Sequence, residues 1–514
     1  MAVRGAVAAG HPLTAETACT VLREGGNAFD AALAALCSAC ITEPVLASLG
    51  GGGFLLAASP THGDRVYDFF VHTPRRPRAQ DELDFCPVTV DFGTATQEFH
   101  IGHGAIATPG VVRGMFAIHA DLGRMPMTEI VAQAITLARE GVRLNDLQAY
   151  ILGIVAPIYT ASDGARRVYT RDGSSESLLQ AGDRMRSPEW ADMLDSLARE
   201  GDRLFYEGEL ARLIIEQSQA QGGQLGADDL LAYRVERRAP LTIDFHDAQL
   251  LTNPPPSSGG ILIGFALKLL EDAPADLPAW EMSRYWQYLA DVMVLTNEAR
   301  GTGLAASGEF SESLLDAELV ARYRTEVAGI ARARRGTTHI SVIDADGNAA
   351  SLSISNGEGC GSIVPGTGIM LNNMLGEEDL NPQGFHAWQP DQRMTSMMAP
   401  SVVRDARGQR RIVLGSGGSN RIRTAILQVL MNLLVRRMPI EAAVTQARIH
   451  CERGYLNIEQ GDARALRELL QAWPDHRIWH EQNMFFGGVH CVADSQDGVD
   501  GAGDTRRGGV YRVA

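Results

Sequence analysis

Cysteine is scarce in this chain, and its spacing forms no framework. Seven cysteines (Cys19, Cys37, Cys40, Cys86, Cys360, Cys451 and Cys491) are scattered over 514 residues. An odd number so dispersed excludes a disulfide scaffold. Cys37 and Cys40 make a C-x-x-C, but they sit in the apolar run AALAALCSACI with no second pair or histidine to complete a metal site. Two buried helix cysteines are expected there. No ligand cluster appears elsewhere, so neither a metal nor another cofactor is expected. Positive charge is also short. Lys and Arg total 46 against 62 Asp and Glu, for a net charge of −16. Such a polyanion has no affinity for nucleic acid or an anionic membrane surface, and Arg75-Arg76 and Arg334-Arg335 are too short to create any. The apolar run at 31–41 is about half of what a membrane span needs. No charged segment followed by an apolar one precedes AVRGAVAAGHP, so a cytoplasmic, soluble protein is the expectation. Neither G-x-x-x-x-G-K-[ST] nor a G-x-G-x-x-G after a strand occurs, which leaves nucleotide binding unsupported. There is no internal repeat and no low-complexity tract.

What remains is ordinary for a soluble globular enzyme: 45% hydrophobic and 21% charged residues, in a chain long enough for several domains or one large two-part domain. Pro12, Thr14 and Gly25-Gly26 bracket a helix over 12–26, and a second runs from Ala28 to about Ile41. Four glycines, Gly50 to Gly53, lead into a strand. Residues 110–240 read as mostly helical, three segments ending at glycine. Pro254-Pro255-Pro256-Ser257-Ser258-Gly259-Gly260 forms a turn before an apolar helix at 261–271. The polar stretch 305–335 reads as a surface helix delivering the chain to Thr337.

Residues 337–355 allow a register to be counted. Ile340 and Val342 alternate with His339 and Ser341; Ala350, Leu352 and Ile354 alternate with Ser351, Ser353 and Ser355. Both runs have the two-residue period of half-buried strands. A three-residue loop ending in Gly347 pairs Asp344 with Asn348. It follows that Val342 meets Ala350, Ile340 meets Leu352 and Thr338 meets Ile354. On the other face Ser341 meets Ser351, His339 meets Ser353 and Thr337 meets Ser355. A slip of one residue sets apolar side chains against serines, so the register is fixed. Taken alone, the serine face reads as a solvated hairpin surface.

Gly336-Thr337 gives the hairpin another meaning. If that peptide bond breaks, Thr337 gains a free α-amine beside its own hydroxyl, placing nucleophile and base on one residue. The flanking motifs are AGHP, GGNA, LGGGGFLL, ATPG and NPPPSSGG in the first part of the chain. The second part carries GTTHISVIDADGNA, PGTGIMLNN, RMTSMMAP, LGSGGSNRI and FGGVH. In this order, over nearly the whole length, they resemble the γ-glutamyltransferase (γ-glutamyltranspeptidase) family of N-terminal-nucleophile hydrolases.

The resemblance implies an α+β fold, a four-layer αββα sandwich. It also implies self-cleavage into a large subunit, 1–336, and a small subunit, 337–514, forming a heterodimer or a dimer of heterodimers. Thr337 is then the nucleophile, with Gly336 on the other side of the cut. Ser355 matches the hydroxyl that orients the threonine. Glu377 matches the acidic residue for the substrate ammonium, and Thr395 and Ser396 match the paired hydroxyls near its carboxylate. The loop Gly415-Ser416-Gly417-Gly418 matches the oxyanion-binding loop but lacks its proline, so the donors fall among Gly417, Gly418 and Ser419. The implied partners are a small amide or γ-glutamyl substrate and a water or amine acceptor.

Three positions depart from the family pattern. Phe70 stands where an arginine clamps the glutamyl carboxylate, and an aromatic ring cannot replace that pairing. Arg75 and Arg76 read as surface residues rather than substitutes. Met374 replaces a polar residue after Asn372-Asn373. Gly357 replaces an asparagine, with Asn356 and Glu358 beside it as stand-ins. The stretch from Glu377 to Thr395 is short, implying an open acceptor side. An acylase with a non-glutamyl acyl group, or an unprocessed and inactive binding protein, are the alternative readings.

Overall fold

The computed structural model describes residues 3–514 apart from 92–95, 272, 275, 308–311, 317–318, 321–335, 382, 407, 409, 453 and 497. Most of the expected helix at 305–335 therefore lies outside the described residues. Strand β1 (Gly5–Ala9) is followed by helices α1 (Pro12–Arg23) and α2 (Ala28–Thr42), then by β2 (Gly52–Ser59) and β3 (Gly63–Phe69). A mostly helical stretch occupies 111–232. Next come β4 (Glu236–Arg238), β5 (Leu241–Phe245), β6 (Ala248–Thr252), α3 (Gly259–Leu270) and α4 (Met282–Ser307). The last part holds β7 (Thr338–Asp344), β8 (Ala349–Ser355), β9 (Ser401–Asp405), β10 (Arg411–Gly417) and α5 (Arg421–Leu430), then β11 (Gly488–Ser495), β12 (Gly498–Ala502) and β13 (Val510–Val513).

These strands form two large sheets. One is seven-stranded in the order β13-β1-β7-β8-β2-β3-β4; the other is six-stranded, β12-β11-β10-β9-β6-β5. All pairings in both are antiparallel. Helices α1 and α2 pack on the first sheet, and α3 and α5 on the second. Strands β7 and β8 face β10 and β11. Among the described residues no helix is long and apolar enough to cross a membrane.

Local sequence explains the helices that carry the first sheet. Asn27 caps α2, its side chain accepting from Phe29 and Asp30 N–H while Asp30 accepts from Asn27 N–H. This reciprocal capping fixes the start of the helix. Every residue of α2 is buried, as expected of a helix apolar on all sides. Cys37 and Cys40 are among them, free and buried. The cap of α1 is His11, whose Nδ1 accepts from Leu13 N–H. Thr14 is not a cap; its hydroxyl turns inward to Thr42 at 2.7 Å.

The β7–β8 hairpin has the counted register: Thr338 opposite Ile354, His339 opposite Ser353, Ile340 opposite Leu352, Ser341 opposite Ser351 and Val342 opposite Ala350. Gly347 closes the loop with a φ of +85°. The solvated-face reading is overturned. His339, Ser341, Ser351 and Ser353 are fully buried because the second sheet covers them. Their hydroxyls find partners there: Ser351 Oγ donates to Leu414 O at 3.0 Å and Ser341 Oγ to His490 O at 3.1 Å. His339 bridges Ser353 and Ser341 at 2.8 and 2.9 Å. Burial holds this imidazole well below its ordinary pKa, so it is neutral. Such a buried polar stripe survives because its members are hydrogen-bonded.

Candidate active site

Thr337 immediately precedes β7 and is 5% exposed. The hairpin register, continued by one pair, sets it opposite Ser355. Both hydroxyls reach the same atom: Thr337 Oγ1 and Ser355 Oγ each lie 2.7 Å from the Gly336 carbonyl oxygen. Ser355 Oγ also accepts from Gly357 N–H at 3.1 Å, which fixes its rotamer. The amide of Gly336 donates to Glu358 Oε1 at 2.8 Å.

The carbonyl of Thr337 rests on the end of β10. A Cβ on Gly417 would overlap the Thr337 carbonyl oxygen, so only glycine permits this approach. Gly418 and Ser419 follow with φ of +121° and +53° as the chain turns into α5. Arg507 Nη1 lies 3.5 Å from Thr337 O. Burial pushes this guanidinium down to about 10, although Glu358, Asp504 and Glu43 oppose the shift. On the helix side of β7, Glu43 ends α2 and accepts from Thr338 Oγ1 at 2.7 Å and Thr14 Oγ1 at 3.3 Å. Burial lifts its carboxyl to about 7, against the pull of those hydroxyls and of Arg507.

Two cavities meet at Gly336. The first is lined by Thr337, Ser355, Glu377, Ser396 and Ser419. Phe70, Met374, Met397 and Met398 form its apolar wall, Asp379 adds a second carboxylate, and among the described residues no lining residue is basic. The second is lined by Glu358, Gly418, Arg421 and Arg507, with Phe485 among its apolar walls. The Arg421 guanidinium lies over the Phe485 ring at 4.3 Å.

Most sequence-chosen residues thus come together: Gly336, Thr337, Ser355, Glu377, Ser396 and Ser419 share the first cavity, with Gly417 beneath Thr337. Gly418 lines the second cavity. Thr395 and Asn356 line neither. The Thr395 hydroxyl is buried and without a hydrogen bond, as are both polar atoms of the Asn356 side chain. Gly357 has a steric reason: a Cβ there would overlap Glu377 Oε1 and Asn373 Oδ1. The Glu377 carboxylate thus crowds the space of a side chain at 357, and neither neighbour stands in for the missing asparagine in this cavity. Glu358 turns instead to Gly336.

Arg75 pairs with Asp391 at 2.8 Å and Arg76 with Asp228 at 2.6 Å, both away from Thr337. The buried Arg393 donates to Phe70 O and to Tyr233 Oη, and lies 3.4 Å from Asp68. Sequence reasoning missed Glu43, Asp379 and Arg507. Glu43 did carry a signal, a carboxylate closing an otherwise apolar helix; Arg507, near the end of the chain, carried none.

A family model described as Gamma-glutamyltranspeptidase matches residues 14–514. The glutathione hydrolase proenzyme of Pseudomonas aeruginosa is 31% identical over 476 residues, covering 87% of this chain and 82% of that protein. The acylase ACY 1 proenzyme of Pseudomonas sp. strain SE83 is 28% identical over 517 residues, covering 96% and 91%. Among solved structures, the cephalosporin acylase from Bacillus halodurans superposes with a TM-score of 0.85 at 23% identity, over 100% of this chain and 96% of that one. At that identity the likeness is one of fold.

Proposed function

The chain belongs to the gamma-glutamyltranspeptidase family, and on that premise we propose that it cuts its own Gly336–Thr337 bond and then hydrolyses or transfers the acyl group of small amides through Thr337. The observation that carries this reading is the convergence of the Thr337 and Ser355 hydroxyls on the Gly336 carbonyl, each at 2.7 Å. In the uncut chain Thr337 Oγ1 adds to the Gly336 carbonyl carbon. The C–N bond breaks, the acyl group moves from nitrogen to oxygen, and water opens the ester. Gly336 then ends in a carboxylate and Thr337 begins with an amine. Ser355, placed at the carbonyl oxygen, stabilises the charge that develops on it.

In the cut enzyme the α-amine, with an ordinary pKa near ~8, accepts the hydroxyl proton as Oγ1 attacks a substrate carbonyl. The N–H groups of the Gly417–Ser419 turn receive the oxyanion. The leaving amine departs, and water or an acceptor amine removes the acyl group. The packing of α1 and α2 on one sheet, and of α3 and α5 on the other, supports reading the fold as the four-layer αββα sandwich of N-terminal-nucleophile hydrolases. The large subunit is then 1–336 and the small one 337–514.

The acyl group occupies the cavity of Glu377 and Ser396. Its wall of Phe70 and Met374, with no basic residue among the described lining, favours the second reading over a strict γ-glutamyl enzyme: an acylase-type hydrolase with a non-glutamyl acyl group and no transferase role. Denaturing electrophoresis and N-terminal sequencing test the first claim. Two fragments are expected, the smaller opening on Thr337, and a Thr337→Ala chain stays whole. An uncut wild-type chain that still turns over amides refutes it. Hydrolysis of γ-glutamyl and glutaryl anilides tests the second, where efficient γ-glutamyl-selective turnover is the refuting result.

A further inference from the structure

Gly336 is held from both sides of its Cα. The carbonyl oxygen lies under the Thr337 and Ser355 hydroxyls, and the amide N–H donates to Glu358 Oε1 at 2.8 Å. Glycine is the residue with the most freedom in φ and ψ, so a glycine at a bond to be cut depends most on outside restraints. One contact on its N–H and others on its C=O together fix both torsions. Glu358 is itself fixed. It is 3% exposed, and its N–H donates to Asn373 Oδ1 at 2.8 Å. Among the carboxylates acting on the buried Arg507 it is the strongest. It lines the second cavity and not the one that holds Thr337, Glu377 and Ser396.

We propose that Glu358 is a positioning residue for self-cleavage alone: it holds the Gly336 amide so that the carbonyl stays against the two hydroxyls, and it has no part in turnover by the cut enzyme. The proposal rests on the reading of Gly336–Thr337 as the self-cleaved bond. Glu358 touches neither the nucleophile nor the carbonyl carbon. When the bond is cut, Gly336 acquires a carboxylate a few atoms from that of Glu358. Like charges so close in a buried site repel, which favours departure of the new chain end. Substrate then binds in the first cavity, which Glu358 does not line.

The test compares cleavage time courses of purified wild-type, Glu358→Ala, Glu358→Gln and Glu358→Leu chains with kcat and KM per cut small subunit on an anilide. Loss of a hydrogen bond to a charged acceptor slows cleavage by roughly 10- to 100-fold in the Ala and Leu chains. The Gln chain keeps an oxygen acceptor for the Gly336 N–H and recovers most of the rate. Once cut, all variants turn over with wild-type kcat and KM within about twofold. Cooperative melting identifies a chain that has not folded; if Ala opens a cavity and fails, Leu gives the reading. Cleavage of the Ala or Leu chain at the wild-type rate overturns the proposal. So does a cut variant whose kcat falls in proportion to its slow cleavage. A wild-type chain that never cuts overturns instead the self-cleavage reading itself.

Discussion

Replacing Gly417 by alanine adds one methyl group at the point where β10 supports the nucleophile. The Cβ would overlap the Thr337 carbonyl oxygen and stand 3.0 Å from its carbon. Non-bonded carbons settle at about 3.5–4.0 Å, so strand and nucleophile must part by roughly 1 Å. Neither side yields easily: the atoms are backbone, Gly417 is paired with Gly488 of β11, and Thr337 leads directly into the paired residues of β7. Overpacking of this kind costs about 1–3 kcal/mol of stability. A displacement near 1 Å at a reacting group costs about 100-fold in rate. The Gly417→Ala chain is therefore expected to melt lower and to cut itself about 100-fold more slowly, read by timed electrophoresis of the purified chain. Gly153→Ala is the control, because a Cβ there meets nothing within 4 Å. It should cut at the wild-type rate. Wild-type cleavage and melting of Gly417→Ala would show that Thr337 does not depend on this contact, and the account of the site would fail.

Ser355→Ala removes one of the two hydroxyls on the Gly336 carbonyl and should slow self-cleavage by about 10- to 100-fold; unchanged timed electrophoresis contradicts its role. Glu43, lifted by burial from 4.5 to about 7, binds in the folded state a proton that the unfolded chain releases. Its contribution to stability is full below about pH 4.5 and is lost as pH rises toward 7, by at most about 3 kcal/mol. In a Thr337→Ala background, kept whole for the measurement, Glu43→Gln should raise the melting temperature more at pH 8 than at pH 5; an equal shift at both refutes the burial argument. Phe70→Ala empties the wall of the acyl cavity and breaks the stack on Phe54, at 5.4 Å between ring centres. It should cost about 3–5 kcal/mol and shift anilide preference toward bulkier acyl groups; an unchanged preference places the acyl group elsewhere.

The β7–β8 pairing was legible because a two-residue period and a glycine-last loop leave one register that keeps Ile340, Val342, Leu352 and Ile354 on a common face. The same alternation could not say what lies over the opposite face. Ser341 and Ser351 look solvated in sequence because their partners, His490 O on β11 and Leu414 O on β10, are supplied by segments distant in the chain. Helix α2 was legible from its apolar run, yet the role of Glu43 needed Thr338 placed beside it. Motif positions brought Glu377, Ser396 and Ser419 to one cavity. Asn356 and Thr395 line neither of the two cavities.

The three departures from the family pattern act on one wall. Phe70 and Met374 line the same cavity, and Gly357 leaves room for the Glu377 carboxylate that also lines it. Arg393 holds the backbone at this wall, donating to Phe70 O and Tyr233 Oη and lying 3.4 Å from Asp68. Asp68 is already shared between Arg393 and Arg238. In the cavity that Phe70 lines, the anions are Glu377 and Asp379. The residues against the Gly336 carbonyl stand apart from this change. Thr337 and Ser355 are fixed by the hairpin register, and Gly417 by the second sheet, so on the proposed reading the wall that selects the acyl group can vary while the parts that break the bond stay in place.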